Sequence, residues 1–336
     1  MRRRVLIGVV VLAVLVGGGA GGFYLLRREP SLPAPEVAAY LKAWERFDVG
    51  AMSAVVDAPP PEMAAAVTSM KEDLQVTGAR FRSVHLRRQG SGAVTDVAAE
   101  VDLAGLGTWT FQNTLPLRRV RGTWRVVWTL AALHPALQAG QRFARTRTWP
   151  ARAPILGADG TALVSESDVV AVGLEPDRIK DRAALEATLK QQLGVEPAAV
   201  DAALVAPGVQ PNYFVEVARL RPDRFTQLKA VLEPVPGVFF HRITGRLAVS
   251  DNFAAHVLGR YDEVTAERLA QLGAPYLVGD KVGLSGLEAN FERTLAGTPS
   301  GDVQVVAIAP GGTARSVFHF AGTAPQPLMT TLDRRT

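Results

Sequence analysis

The spacing of apolar residues changes along the chain, and each change predicts a different kind of element. An uncharged apolar run extends from Val5 to Leu26. After it, apolar side chains recur at helical spacing over 36–48 and 62–74, which predicts two helices, the first of them ended by Gly50. Alternation of apolar and polar residues then predicts a curved antiparallel meander, so the first half is an α+β domain. The predicted strands are 80–88, 93–103, 107–119 and 123–129.

The second half of the chain combines the alternating pattern of strands with the helical spacing of apolar residues. Short alternating stretches predict strands, and stretches with the 3.6-residue period predict helices between them. The predicted strands are 167–174, 214–220 and 237–244, and the predicted helices are 181–193, 196–204 and 221–231. The two halves therefore predict two domains of different architecture in an α+β multidomain protein.

A further helix is predicted to begin at Ser285. Ser285 and Glu288 have the spacing of a capping box, in which each side chain satisfies a backbone N–H of the first helical turn. Glu288 is therefore assigned a structural role rather than that of a general acid. The helix has an apolar stripe and an end signal, at Leu287, Phe291, Leu295, Gly297 and Pro299. A buried strand is predicted over 302–308, before a turn at Pro310-Gly311-Gly312.

The apolar run from Val5 to Leu26 is long enough to cross a membrane. Its 22 residues, at about 1.5 Å each, cover the roughly 30 Å hydrocarbon core. The arginines at positions 2–4 orient the amino terminus toward the cytoplasm, so everything after Arg28 is expected outside. A cleaved signal peptide is the alternative, although no Ala-x-Ala site is present. Both interpretations export the chain, and the uncleaved anchor is preferred.

The composition excludes several kinds of site. The 336 residues contain no cysteine, which excludes disulfides, thiolate metal sites and a cysteine nucleophile. The five histidines lack metal-ligand spacing and no soluble nucleotide-binding motif is present, so neither a metal nor a cofactor is expected. The charge of +5 comes without a nucleic-acid-binding motif and suits an exported protein facing anionic wall polymers or lipid headgroups. The basic segment 141–152 is interpreted as a solvated connector rather than a lipid or polyanion contact.

The end of the first domain resembles the end of an NTF2-like domain, at Trp124, Trp128, His134 and Pro135. Such a domain is found at the amino terminus of penicillin-binding proteins of the low-affinity, resistance-associated (MecA-like) type. NTF2-like cones often enclose a pocket, so a small-molecule isomerase or hydratase is an alternative, with His85 or Asp102 as its acid–base residue. His134, which precedes a proline, is expected to order a turn instead.

Three further segments resemble class B penicillin-binding proteins, the cell-wall transpeptidases, in the order and spacing of that family. The first resembles the opening of the family's pedestal domain and matches at Arg152, Ile155, Gly160 and Leu163. The second extends from Arg246 to Gly259 and lacks the family's Tyr-Pro pair. The third resembles the signature before the catalytic domain and matches at Gly283, Ser285, Gly286, Leu287, Glu288, Gly297 and Gly301.

The resemblance implies a domain order for the whole chain. The order is a cytoplasmic tail and transmembrane anchor (1–28), a proline-rich spacer (29–35), an NTF2-like domain (36–141), a penicillin-binding protein dimerisation or pedestal domain (142–325) and a lead-in (326–336). The implied fold is a transmembrane helix, a cone of helices on a curved antiparallel sheet, and an elongated mixed α/β pedestal. The lead-in resembles the strand and turn that precede a transpeptidase domain, which the sequence lacks.

The catalytic motifs of the family are absent from the sequence. A serine transpeptidase needs a nucleophile in Ser-x-x-Lys and a Lys-Thr-Gly element, and no serine here is followed by a lysine three residues later. Ser250-Asp251-Asn252 matches the family's Ser-x-Asn element but is assigned no catalytic role, since it lies far from any nucleophile. The chain as given is therefore expected to be no enzyme and to have no catalytic, cofactor-binding or metal residue, although the complete family member would be a serine-type D,D-transpeptidase.

The resemblance also implies a role in cell-wall synthesis. The chain would be a single-pass protein of the cell membrane, with its bulk outside the cytoplasm and peptidoglycan nearby. It would position the transpeptidase domain, offer surfaces to division or elongation proteins, form a dimer, and bind penicillin only with the missing domain. Two alternatives stay open: an NTF2-like ligand-binding or isomerase-type protein, and an inert partner-binding module that evolved without catalysis.

Overall fold

The computed structural model describes residues 31–250, 253–309 and 311–334. The predicted membrane anchor lies outside these ranges, as do Asp251, Asn252 and Pro310. Within them, no helix combines the length and the apolar character needed to cross a bilayer. The chain forms two compact units. The first contains the described residues up to Thr146 together with 302–319, and the second contains 147–301 and the residues from Phe320 onward.

Three helices and a four-stranded antiparallel sheet open the first unit. The helices are α1 (Ala34–Glu45), α2 (Val49–Val55) and α3 (Glu62–Asp73). The strands are β1 (Val76–Gln89), β2 (Gly92–Leu103), β3 (Gly107–Val120) and β4 (Thr123–Val126), paired in that order. Alternate side chains of β2 and β3 are buried, because successive residues of a strand face opposite sides of the sheet. The prediction of helices followed by an antiparallel sheet is confirmed.

The prediction that Gly50 ends the first helix is wrong. α1 ends at Glu45, and Phe47 takes a positive φ of 54°. Asp48 then accepts a hydrogen bond from the Ala51 N–H at 2.9 Å and caps α2, which contains Gly50. An aspartate at this position satisfies an N–H of the first turn. A second helix therefore begins at Val49, where the sequence was expected to end helical structure.

The core of the first unit lies between its helices and its sheet. Tyr40 and Trp44 of α1 and Met52 of α2 are completely buried. The Trp44 ring stacks on Phe81 of β1 with centroids 3.8 Å apart. Aromatic side chains bury roughly 150–250 Å² each, so this contact fixes α1 against the sheet.

A long strand organises the second unit. After β5 (Gln141–Arg145), which belongs to the first unit, come β6 (Ile155–Leu156) and β7 (Ala162–Leu174). The next elements are α4 (Arg182–Leu193), α5 (Pro197–Leu204), β8 (Val215–Leu220), α6 (Pro222–Leu232) and β9 (Val238–Ala248). β7 pairs antiparallel with β6, β8 and β9. Leucines of α4 and α6 pack with Val172 and Leu174 of β7 in one apolar cluster.

Short elements complete the chain. They are α7 (Ala255–Leu258), β10 (Tyr261–Glu263), α8 (Ala266–Leu272), β11 (Lys281–Gly283), α9 (Gly286–Asn290), α10 (Glu292–Ala296), β12 (Gly301–Ala307), β13 (Arg315–Phe320) and β14 (Leu328–Met329). β10 and β11 form an antiparallel pair, and β14 runs parallel to β6. β12 and β13 extend β5 into a three-stranded sheet with the order β13-β12-β5.

The single helix predicted from Ser285 is instead two short helices. α9 and α10 are separated at Phe291, whose side chain is 40% exposed and belongs to no buried stripe. The predicted capping box is also absent. The Ser285 hydroxyl accepts a hydrogen bond from the Arg260 N–H at 3.1 Å and makes no bond to its own helix. Glu288 binds arginines instead, because charge-assisted hydrogen bonds are stronger than a bond to a neutral N–H.

The basic segment 141–152 is not a solvated connector, which corrects that interpretation. Each of its four arginines binds an acceptor within its own unit. The acceptors are the carboxylate of Asp73 for Arg142, the carbonyl oxygen of Ala104 for Arg145, the carboxylate of Asp280 for Arg147, and two glutamates for Arg152. The arginines therefore hold this segment in place through partners that are distant in sequence.

Candidate functional site

The three segments that resemble penicillin-binding proteins meet at a buried group of charges in the second unit. We call Arg152, Arg246, Glu288 and Glu292 the arginine–glutamate cluster. Arg152 precedes β6, Arg246 lies on β9, Glu288 lies on α9, and Glu292 begins α10. Their side chains are only 2–3% exposed. Charges buried to this extent are stable only when they are paired and hydrogen-bonded.

Arg152 binds both glutamates of the cluster. Its Nε donates to Glu288 Oε2 at 2.8 Å, while its Nη1 and Nη2 donate to the two oxygens of Glu292 at 3.0 and 2.7 Å. Arg246 Nε donates to Glu288 Oε1 at 2.5 Å, and Arg246 Nη2 donates to the Ala153 carbonyl oxygen at 2.9 Å. The bidentate pairing of Arg152 with Glu292 is among the strongest and most directional of protein ion pairs.

Glu292 also binds two neutral donors. The Tyr276 hydroxyl donates to Oε1 at 3.1 Å, and the Gly283 N–H donates to Oε2 at 2.7 Å. Burial raises the pKa of Tyr276, and the negative charge of Glu292 raises it further, so the hydroxyl stays protonated. Burial acts to lower the pKa of Arg152, but hydrogen bonds and charges of Glu292 and Glu288 outweigh burial and raise that pKa.

The cluster is suited to holding chain segments together rather than to catalysis. Two cations balance two anions, and each oxygen of Glu288 and Glu292 accepts at least one hydrogen bond. Both carboxylates are therefore engaged in contacts between chain segments. Across the described part of the chain, no group of three His, Cys, Asp or Glu side chains could hold a metal ion.

Sequence reasoning selected three of the four cluster residues through the family resemblance: Arg152, Arg246 and Glu288. It missed Glu292 and its hydroxyl partner Tyr276. Glu292 follows Glu288 by four residues, a spacing that places two side chains on one face of a helix. Two acidic residues at this spacing beside an otherwise apolar motif are the signal that could have identified the pair.

Two motif glycines allow α7 and α9 to touch through their backbones. Gly259 has a φ of +90°, and a Cβ built on it would lie 1.9 Å from the Ser285 carbonyl oxygen. A Cβ on Gly286 would lie 2.5 Å from the Val257 carbonyl oxygen. Only glycine permits such an approach. The second and third family segments therefore meet here as well as at the cluster.

The other motif residues of the second unit lie around the cluster. Ile155, Leu163 and Leu295 form a buried apolar group, and Leu287 packs against it. Gly160 lies in the turn before β7 with a φ of +79°. The remaining glycines are Gly283 at the end of β11, Gly297 after α10 and Gly301 at the start of β12. The structure thus brings most of the sequence-selected residues into one region.

Motif residues of the first unit are buried in its core. Trp124 and Trp128 are each 5% exposed, and Trp124 Nε1 donates to the Ser31 carbonyl oxygen at 3.0 Å. His134 Nδ1 accepts a hydrogen bond from the Ala136 N–H at 3.1 Å. The sequence-based expectation that His134 orders a turn, with Pro135 next to it, agrees with this bond.

The acid–base candidates of the first unit lie in exposed settings. The side chain of His85 is 74% exposed and lies 4.0 Å from Asp96. Asp102 accepts a hydrogen bond from the Thr108 hydroxyl at 2.6 Å in an exposed setting. Neither residue lines the cavity of about 480 Å³ that is formed by α3, β5 and neighbouring residues of the first unit. These positions do not favour an isomerase or hydratase site built on His85 or Asp102.

His134 is expected to make the first unit sensitive to mild acid. Burial, assisted by the positive charge of Arg315, lowers its pKa to about 4, whereas histidine in an unfolded chain has a pKa near 6.5. The unfolded state binds more protons between these values, so this contribution is complete above about pH 6.5. As the pH falls to 4, up to about 3 kcal/mol of stability is lost.

The test uses His134→Asn, which keeps an acceptor for the Ala136 N–H but does not titrate. The urea midpoint of wild type should fall more than that of the variant between pH 7 and pH 4.5. Wild type and variant contain the same carboxylates, so the loss of stability caused by carboxylate protonation is equal in both and cancels in the comparison. An equal fall in the two proteins would refute the assignment.

Comparison with known proteins gives matches in both units. The model of the NTF2-like N-terminal transpeptidase domain matches residues 32–141, and that of the penicillin-binding protein dimerisation domain matches residues 147–316. Penicillin-binding protein 3 of Bacillus subtilis (strain 168) is 23% identical over 207 residues, which cover 59% of this chain and 30% of that relative. The chain therefore spans less than a third of the length of that relative.

A solved structure adds one further similarity. It is the complex between penicillin-binding protein 2 and MreC from Helicobacter pylori, with a TM-score of 0.36 and 18% identity over 57% of this chain and 37% of that one. The dimerisation-domain model matches half of the present sequence, which confirms the family resemblance found in the motifs. The chain thus belongs to the family of penicillin-binding proteins with a dimerisation domain.

Proposed function

We propose that the chain is the non-catalytic, membrane-anchored portion of a penicillin-binding protein. In this role it holds a peptidoglycan D,D-transpeptidase domain at a fixed height in the wall and offers surfaces to division or elongation proteins. The arginine–glutamate cluster is the observation that carries the proposal. It links three separate family segments to one another inside the second unit. A unit held together in this way can position an attached domain without having catalytic residues of its own.

The amino-terminal sequence supports the anchoring part of the proposal. The apolar run 5–26 is preceded by arginines and followed by the proline-rich stretch 29–35, whose last two residues, Ala34 and Pro35, begin α1 rather than continue a spacer. The carbonyl oxygen of Ser31, within this stretch, accepts a hydrogen bond from Trp124 of the first unit. A single membrane pass with the bulk of the chain outside the cytoplasm follows from this arrangement.

The proposal assigns penicillin binding to a catalytic domain and not to these two units. The present sequence has neither Ser-x-x-Lys nor Lys-Thr-Gly, and acylation needs a serine with a lysine one helical turn away. Dimer formation through the dimerisation domain and contacts with other cell-wall proteins are further parts of the proposal.

The test is the mass and penicillin reactivity of the native protein. Membranes of the source cell are treated with a fluorescent penicillin, and the product is isolated with an antibody against the first unit. We expect a fluorescent species of about twice the 35.9 kDa of the present sequence. The purified 336-residue chain is the control and should remain unlabelled.

An unlabelled native species near 36 kDa would overturn the proposal. It would favour the inert partner-binding module instead, because a chain of this length would then act without a transpeptidase domain. Labelling of the purified 336-residue chain would contradict the assignment of penicillin binding to another domain.

A further inference from the structure

The first unit contains a cavity of about 480 Å³ with mostly apolar walls. One wall is a single face of α3, where Glu62, Ala65, Ala66 and Ser69 recur at helical spacing. Two of these four residues are alanines, so the helix leaves space that longer side chains would fill. The cavity is therefore a consequence of the sequence of α3.

The other walls of the cavity are also apolar. Phe143 of β5 and Leu137 are 1% and 4% exposed, and Leu130 lies beside them. Ile308, which follows β12, also lines the cavity, and its side chain is 64% exposed. Exposed apolar surface in a concavity favours an apolar ligand, because binding removes that surface from water.

The polar groups near the cavity are largely satisfied by one another. The Ser69 hydroxyl and Arg142 Nη1 both donate to Asp73, at 2.5 and 3.0 Å. Glu62 adds a negative charge to the lining. The positive charge of Arg142 is thus balanced, so the lining does not select an anionic head group. Recognition here would depend on the hydrocarbon part of a ligand.

The volume of the cavity suits a single hydrocarbon chain rather than a protein partner. Small-molecule sites enclose roughly 300–1,000 Å³, and about 480 Å³ lies within that range. A protein partner buries about 800 Å² on each side of an interface, which requires a broader surface than this concavity.

The sequence indicates where a hydrocarbon chain would come from. Ser31 is held by Trp124 in the first unit and follows Leu26, the end of the apolar run, by five residues. Five extended residues reach at most about 18 Å, so the proposed anchor keeps the first unit close to lipid. We propose that the cavity binds one hydrocarbon chain of a membrane lipid, an inference that rests on the proposed anchoring.

The test is photolabelling of the full chain in a membrane. The protein is reconstituted into phosphatidylcholine vesicles in which some molecules have a diazirine at the end of one acyl chain. After irradiation and proteolysis, mass spectrometry locates the labelled peptides. We expect label in peptides covering 62–73 and 137–143, which line the cavity, and in a peptide covering the anchor, 5–26.

Three variants separate the cavity from general lipid contact. Ala66→Phe fills the cavity, and Ile308→Glu places a charge in it without altering a buried side chain. Each should lower labelling of the cavity peptides at least about tenfold, because an acyl chain is then excluded or meets a charge. Ala64→Phe is the matched control, since Ala64 is exposed on α3 and does not line the cavity. It should leave labelling unchanged.

The outcomes distinguish the cavity from the anchor. Label on 5–26 alone would overturn the cavity proposal and leave the anchor in place. Label on neither region would overturn both. Label on the cavity peptides alone, if lost in Ala66→Phe and Ile308→Glu, would support the site and overturn the anchor. Cavity labelling that persists in Ile308→Glu would overturn the proposal even if Ala66→Phe fails to fold.

Discussion

Replacing Arg152 with methionine is expected to lower the free energy of unfolding of the second unit by about 3–5 kcal/mol. Methionine occupies space similar to the arginine stem but leaves the Glu292 carboxylate with only neutral donors, Tyr276 and Gly283. The protein interior cannot solvate such a charge as water does. Amide hydrogen exchange of α10 and β11 in the full chain is the measurement, and protection should fall about 10²–10⁴-fold.

Two further variants test whether this loss arises from the unpaired charge. Glu292→Gln in the Arg152→Met background removes the charge and keeps an acceptor for the Gly283 N–H, so it should restore part of the protection. Lys190→Met is the matched control. It breaks an ion pair with Glu196 at 2.8 Å, in which both side chains are more than half exposed, and should cost less than about 1 kcal/mol. Similar losses in Arg152→Met and Lys190→Met would count against the cluster.

Replacing Gly259 with alanine is expected to destabilise the second unit by about 2–5 kcal/mol. The residue has a φ of +90° and a ψ of −169°, a conformation that costs alanine strain energy. In addition, the new methyl group would lie 1.9 Å from the Ser285 carbonyl oxygen, so α7 and α9 must separate. The measurement is the urea midpoint together with hydrogen exchange at these two helices.

Gly273→Ala is the control that separates strain from collision. Gly273 has a φ of +62° and a ψ of −154°, similar to Gly259, but a Cβ built there has no atom within 4 Å. It should therefore cost only the strain, about 1–3 kcal/mol. If Gly273→Ala proved as destabilising as Gly259→Ala, steric overlap between α7 and α9 would add nothing to the cost of Gly259→Ala, and the prediction would be wrong.

Local patterns were sufficient to predict most of the regular elements. The alternation in β2 places Val97 and Val101 inside the first unit, where both are completely buried. Asp181 caps α4 by accepting a hydrogen bond from the Ala184 N–H at 3.0 Å, which is the usual role of an aspartate before a helix. These features depend on residues within one turn or one strand, and the sequence displays them directly.

Interactions between distant residues could not be predicted in the same way. Glu288 has the local spacing of a capping box, but Arg152, 136 residues earlier, binds its carboxylate. Arg147 likewise pairs with Asp280, 133 residues away. A basic segment has the same composition whether its partners are water or buried carboxylates, so only the folded chain distinguishes the two. The family motifs partly filled this gap, since they selected Arg152, Arg246 and Glu288 without indicating that they touch.

The pairing of β5 with β12 has a consequence for synthesis. β5 ends at Arg145, whereas its neighbour begins only at Gly301. At the usual 5–20 residues per second, the ribosome needs on the order of 10–30 s to make the intervening segment. During that interval one edge of β5 lacks its partner strand, and unpaired strand edges invite association with other chains. The first unit is therefore expected to finish folding only after most of the second unit has been made.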